Sequence, residues 1–190
     1  EIFEVEKKYE VAIEIALGGS ISNVITVNDT DAKNLISYLK SRGLGRATFL
    51  PLNIIRGKKL DLPNNIKSAN GYIGIASEIL KYDVRYKGVI EYNLGRTIIA
   101  ENMDCALNIS KIGRHNYKIV TLTGEVINPG GALTGGSIQG KNANLLGRKR
   151  EIEELAQNIL KLKEEYNNEV SRFNEIKLKI KQLDDEVLNK

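Results

Sequence analysis

From Arg148 to Lys190 the chain contains neither proline nor glycine, so nothing local stops a helix along the whole segment. Within it Ile152, Leu155, Ile159, Leu162, Tyr166, Glu169, Phe173, Ile176, Ile180, Leu183 and Val187 recur at alternating spacings of three and four. Glu169 alone breaks the apolar series. Five heptads of this kind predict a coiled coil rather than a core helix. At about 1.5 Å per residue the helix would be about 60 Å long, more than a small body can cover. Two apolar positions per heptad also make a narrower stripe than a helix packed on a globular core presents. The seam therefore calls for a partner strand that this chain does not supply; the competing reading is a tail folded back on its own domain.

Composition narrows the rest. With 190 residues, 42% apolar and 27% charged, the chain has the make-up of an ordinary folded protein. No apolar stretch approaches the ~20 residues that span a bilayer. No signal peptide is visible, and a start without methionine reads as a piece cut from a longer protein. One cysteine, Cys105, and one histidine, His115, exclude disulfide scaffolds, Cys/His zinc sites and His-assisted nucleophile systems. Cys105 is expected as a small core residue and His115 at the surface. Glu14, Glu91 and Glu125 have no spaced acid–base partner, so no enzyme activity and no cofactor is expected of these residues.

The net charge of +4 is unevenly spread. The segment 148–190 is balanced, with ten basic and ten acidic residues, whereas Lys33–Lys67 has eight basic residues against Asp61 alone. Cys105–Arg150 has seven against Glu125 alone. Two basic stretches point to a polyanion, nucleic acid before membrane. A solvated basic surface without a partner is the competing reading.

The body carries an internal repeat. YEVAIEIALG (9–18) aligns with YKGVIEYNLG (86–95) as Y-x-x-x-I-E-x-x-L-G. Each copy reads as a short helix stopped by a glycine in a left-handed conformation. A β-branched run expected as a buried strand follows, Asn23–Val27 and Thr97–Ile99. Next come helices, Asp29–Leu39, capped by Asp29 or Thr30, and Asn102–Ile109. Second strands close the series at Ala47–Leu50 and Lys118–Leu122. The fold class is mixed α/β (α+β): two related half-domains, about 1–60 and 71–147, joined by a polar stretch near Leu52–Asn70. The coiled-coil segment 148–190 follows the 1–147 body.

Seven of the seventeen glycines lie between Gly124 and Gly147. A phosphate loop fails because no lysine follows Gly135 and Gly136, and Gly43-Leu44-Gly45 leads from helix to strand, the reverse of a dinucleotide-binding turn. Two readings remain. Glycines around Ala132-Leu133-Thr134 leave an edge strand open to a second backbone, in the limit a symmetric dimer; or they form a glycine-rich turn inside one domain.

The run VTLTGEVINPGGALTGGS (120–137), followed by LLGRKREIEEL (145–155), resembles the hinge of SMC (structural maintenance of chromosomes) proteins, nearest to the bacterial chromosome-condensation type. YEVAIEIALGG (9–19), LGRATFLPL (44–52) and Gly71–Ser77 resemble that family's hinge in the same order. The resemblance implies a two-lobed domain at the far end of an antiparallel coiled coil, which joins a second copy as a homodimer, each half meeting the opposite half of the other. The implied interface is Gly130, Gly131, Ala132, Leu133, Thr134, Gly135 and Gly136. Implied DNA contacts, without base specificity, are Lys141, Arg148, Lys149 and Arg150, and further off Arg56, Lys58 and Lys59. ATP and Mg²⁺ would act only at absent head domains, with accessory subunits there and a cytoplasmic, nucleoid-associated setting. The incoming coiled-coil helix is missing. The alternative is a free-standing basic α/β DNA-binding module that pairs through its C-terminal helix with another protein. Tyr72 and Tyr117 are expected as core residues rather than base-stacking platforms.

Overall fold

The computed structural model describes residues 2–136 and 146–188, which form two units that divide between Leu146 and Gly147. In chain order the first unit contains β1 (Phe3–Glu4), α1 (Glu10–Leu17), β2 (Val24–Thr26), α2 (Asp29–Arg42), β3 (Phe49–Pro51), α3 (Asn64–Lys67), β4 (Tyr72–Ile75) and β5 (Lys81–Tyr82). It continues with α4 (Lys87–Leu94), β6 (Thr97–Ala100), α5 (Met103–Ile112), β7 (Lys118–Thr121), β8 (Val126–Ile127) and β9 (Leu133–Thr134). The second unit is α6 (Arg148–Leu188).

The main sheet has the order β4-β6-β7-β8-β9. Its central pair, β6 and β7, is parallel, with Thr97 opposite Lys118 and Ala100 opposite Thr121. A parallel pair needs a crossover, and α5 supplies it. Side chains alternate between the two faces of a strand, and here both faces are apolar. Ile99, Val120 and Val126 pack with Ala12, Ile13, Ala16 and Leu17 of α1 and with Ile90 and Leu94 of α4. Ile98, Ala100, Ile119 and Ile127 pack on the other side with Ala106 and Ile109 of α5 and Ile66 of α3. Each fully buried isoleucine contributes about 1.5–3 kcal/mol of transfer free energy.

The repeat is visible as α1–β2–α2–β3 and α4–β6–α5–β7, each ending in a parallel pair. Both second helices are capped one residue before their first turn. Asn28 Oδ1 accepts from the Asp31 amide at 2.8 Å, and Asn102 Oδ1 accepts from the Cys105 amide at 3.0 Å. The cap of α2 is thus Asn28, not Asp29 or Thr30. A cap must sit outside the helix for its oxygen to reach the third amide, and the backbone of Asn28 is extended. Gly18 ends α1 at φ +50°. Gly95 differs from the expectation: its φ is −66°, and glycine is needed there because a Cβ would run into the carbonyl oxygens of Glu91 and Lys58.

The copies differ in burial. All of β6 is buried, whereas Val24 of β2 is 40% exposed, because β2 and β3 form a two-stranded sheet that lies outside the two apolar clusters. The first copy's α1 instead covers the second copy's sheet, and Lys118 Nζ donates to the Ala16 carbonyl at 3.0 Å. The halves therefore share one core. The connection 52–70 is not simply polar, since it contains α3 and buries Leu62 and Ile66. In α6 the seam residues Ile152, Leu155, Ile159, Leu162, Tyr166, Phe173, Ile176, Ile180 and Leu183 are all exposed; the Val187 side chain lies outside the described residues.

Gly95→Ala should lower the unfolding free energy by about 1–3 kcal/mol, the range of an overpacked site. Gly19→Ala, where a Cβ would meet nothing, should stay within about 0.5 kcal/mol. Urea unfolding of the two variants provides the comparison.

Candidate interaction surfaces

Among the described residues β9 is the last strand of the main sheet, paired on one side only, with Thr134 opposite Val126 and Leu133 opposite Ile127. Its approach is shaped by Gly130 and Gly131 at φ +87° and +92°, a region that L side chains rarely enter. The Gly130 amide donates to the His115 carbonyl at 2.8 Å, the Gly131 amide to the Asn128 carbonyl at 2.9 Å, and the Asn128 amide to the Ala132 carbonyl at 2.8 Å. Bonded pairs alternate along an antiparallel ladder, so with Asn128–Ala132 and Val126–Thr134 bonded, the amide and carbonyl of Leu133 point to the open edge. Leu133 is 56% exposed. Among the described residues a Cβ on Gly130 or Gly136 would meet no atom; what favours glycine at both is the positive φ, +87° and +135°.

The hairpin behind β9 is braced by Glu125. Its Oε2 accepts from the hydroxyls of Thr121 and Thr123, the latter at 2.6 Å, and its amide donates to Thr121 Oγ1 at 3.0 Å. The Thr121 hydroxyl, then that of Thr123, hold the carboxyl below its ordinary pKa. A Cβ on Gly135 would lie 3.3 Å from Glu125 Cγ, so the brace backs directly onto the glycine strand. Glu125 is thus a structural acceptor. Glu91 lies 3.9 Å from Lys87, and Glu14 accepts from the Leu146 amide at 3.4 Å.

A second surface escaped sequence reading. In α2 only Ala32 is buried, and Val24, Val27, Leu35, Ile36, Tyr38 and Leu44 are exposed around it. The available signal was Leu35-Ile36 followed by Tyr38-Leu39, apolar residues that occupy more of the helix circumference than one core-facing stripe needs.

The basic candidates are distributed as follows. Arg56 and Lys58 are exposed, and the Arg56 guanidinium bonds the Ile55 and Asn53 carbonyls at 2.8 and 3.0 Å. Lys59 is already paired with Glu78 at 2.6 Å, whose hydrogen bond raises its pKa. Arg148 is exposed at the start of α6. Lys141 and the side chains of Lys149 and Arg150 lie outside the described residues. Tyr72 and Tyr117 are half-buried against the α5 side of the sheet, and burial raises the Tyr72 phenol. Cys105 is buried. His115 is exposed, with Nδ1 2.9 Å from Ser110 Oγ. Among the described residues no cluster of three His, Cys, Asp or Glu could hold a metal ion, and no helix is long and apolar enough to cross a membrane.

Residues 1–110 match the family model described as "SMC proteins Flexible Hinge Domain". The chain belongs to the SMC hinge family. The chromosome partition protein Smc of Clostridium kluyveri is 51% identical over 164 residues, which cover 86% of this chain and 14% of that protein. The Smc protein of Bacillus subtilis is 43% identical over 166 residues, again 86% of this chain and 14% of the relative. The SMC hinge thus spans about a seventh of these relatives. Among solved structures, an asymmetric dimer of the Geobacillus stearothermophilus SMC hinge domain is similar with a TM-score of 0.72 and 38% identity, over 86% of this chain and 66% of that one. The Pyrococcus furiosus SMC hinge domain is similar with a TM-score of 0.59 and 32% identity, over 74% and 71% of the two chains.

The Glu125 brace has a defined pH signature. Its folded pKa is lowered, so its contribution is present above the ordinary glutamate range and is lost as pH falls through the lowered folded value. Urea midpoints measured from pH 7 to 3 should fall less steeply in Glu125→Gln than in the parent chain.

Proposed function

We propose that this chain is the homodimerisation hinge of a chromosome condensation and segregation protein, joining two coiled-coil arms and contacting DNA without base specificity. The observation that carries the reading is the edge of β9, a two-residue strand set between glycines that among the described residues is paired only with β8. An edge of this kind is suited to main-chain pairing with another copy. The exposed apolar residues of the β2–α2–β3 unit supply the complementary surface. If β9 of one copy meets that unit of the other, a two-fold axis makes the contact twice and closes a ring. That the Geobacillus relative forms a dimer, though an asymmetric one, supports pairing of two copies.

On this reading α6 is one strand of an arm, and its exposed seam is where the incoming strand lies. The chain itself needs no cofactor; ATP, Mg²⁺ and accessory subunits act at heads outside it, in the cytoplasm on the nucleoid. Arg148, Lys149 and Arg150 with Lys141 form the main phosphate contact, and Arg56 and Lys58 a second one. Lys59 is the weakest member, since Glu78 already compensates it.

The test is the molar mass by sedimentation of the full chain carrying Ile159→Glu, Tyr166→Glu and Ile176→Glu, which suppress association through the helix. A dimer should persist, and adding Leu133→Pro, which removes the outward amide and sets a ring where the second backbone would approach, together with Leu35→Glu and Ile36→Glu on the exposed α2 surface, should yield a folded monomer. A monomer before the proline is added would favour a DNA-binding module that pairs through its helix. For DNA, replacing Arg148, Lys149 and Arg150 by glutamine should weaken binding equally across sequences. The log–log salt slope should become shallower by up to about one for each phosphate that is no longer neutralised.

A further inference from the structure

At the amino ends of β6 and β7, on the end of the sheet where β8 runs into the glycine turn, lies a cavity of about 460 Å³. Asn93, Arg96, Thr97, Asn116, Tyr117 and Lys118 line it. The register that sets Thr97 opposite Lys118 fixes how these groups converge. Arg96 follows Gly95, the position where two carbonyl oxygens leave no room for a Cβ, so the backbone that presents it is tightly held. Among the described residues its lining includes two cationic residues, two carboxamides, a threonine and a phenol, and no carboxylate.

The charge balance is what singles this cavity out. Arg96 is exposed and among the described residues has no hydrogen-bond or ion-pair partner, so its guanidinium is free to meet a ligand, and the Lys118 ammonium has one neutral partner, the Ala16 carbonyl. Lys118 is half-buried, and burial lowers its pKa. A partly desolvated cation without a counter-charge is costly, and a bound anion would relieve that cost. The other cationic cleft, around Arg56, Arg85 and Lys87, lacks this imbalance, because Arg85 pairs with Asp83 and Lys87 lies near Glu91.

We infer that this cavity binds the phosphate of a nucleotide unit, with Arg96 and Lys118 on the phosphate oxygens and Asn93, Asn116 and Tyr117 beside the attached sugar. A guanidinium offers paired donors suited to phosphate, and a lysine acts as a point charge beside it. The choice of a nucleotide rests on the proposed DNA contact; the site is separate from the basic residues named there. The phosphate can come from a nucleic-acid backbone or from a free nucleotide.

The experiment is titration of the isotopically labelled full chain, followed by amide chemical shifts. The probes are a single-stranded dodecanucleotide of mixed sequence, adenosine monophosphate and inorganic phosphate. Saturable shifts at residues 93–97 and 116–118 are expected, and Arg96→Gln should weaken the response about tenfold with an unchanged melting temperature, since Arg96 supports nothing else. A response to the dodecanucleotide alone assigns the site to a backbone phosphate, and a response to the monophosphate as well assigns it to a free nucleotide. Oligonucleotide binding whose shifts lie wholly elsewhere, unaltered by Arg96→Gln, overturns the cavity and leaves the DNA reading intact. A response at these amides to monophosphate without any oligonucleotide binding does the reverse. No shift at these amides with any probe overturns the site.

Discussion

Burial of both faces of β6 and β7 is the constraint on which the rest of this molecule depends. This parallel pair carries apolar side chains on both faces, as buried parallel strands do, so helices must cover both sides. One cover is local, since α5 is the crossover between the two strands. The other is borrowed from a distance, because α1 comes from the first copy of the repeat and lies over the second copy's sheet. The Lys118–Ala16 hydrogen bond ties the same two elements together. Once α1 is committed to that face, the β2–α2–β3 unit is left with little to pack on, and its apolar residues stay exposed.

Much of the element order was legible in the residues. The Y-x-x-x-I-E-x-x-L-G pattern located both leading helices, β-branched runs located β2 and β6, and the three-four seam located α6. Boundaries and caps were less legible. Asn28 and Asn102 differ little from their polar neighbours in sequence, and only the start of each helix shows which side-chain oxygen can reach a third amide. Gly95 illustrates a further limit: glycine can be required by a positive φ or by a close carbonyl, and a lone letter does not distinguish them. Burial of β2 was overestimated because a β-branched run reports what a strand prefers, not whether a second layer exists to cover it.

The candidate interaction residues were legible to different degrees. Glycine density around Leu133 marked the edge strand because glycine is expensive to retain without a reason. The apolar surface of α2 was hidden among residues that would equally suit a core helix. Charge counting found basic stretches but could not see Glu78 opposite Lys59, or that among the described residues no carboxylate lines the cavity of Arg96 and Lys118. Those are properties of three-dimensional neighbours, and the residues that decide them are far apart in the chain.

The brevity of β9 has a thermal consequence. Two residues offer another backbone only a couple of outward hydrogen bonds at Leu133, too few to hold two copies together against the entropy of association. In an assembly built on that edge, most of the adhesion falls to the apolar surface around α2. Apolar adhesion weakens on cooling and strengthens toward moderate warmth. A joint with a short polar seam and an apolar patch would loosen in the cold before the copies themselves unfold, since each copy keeps its own buried core on both faces of the main sheet.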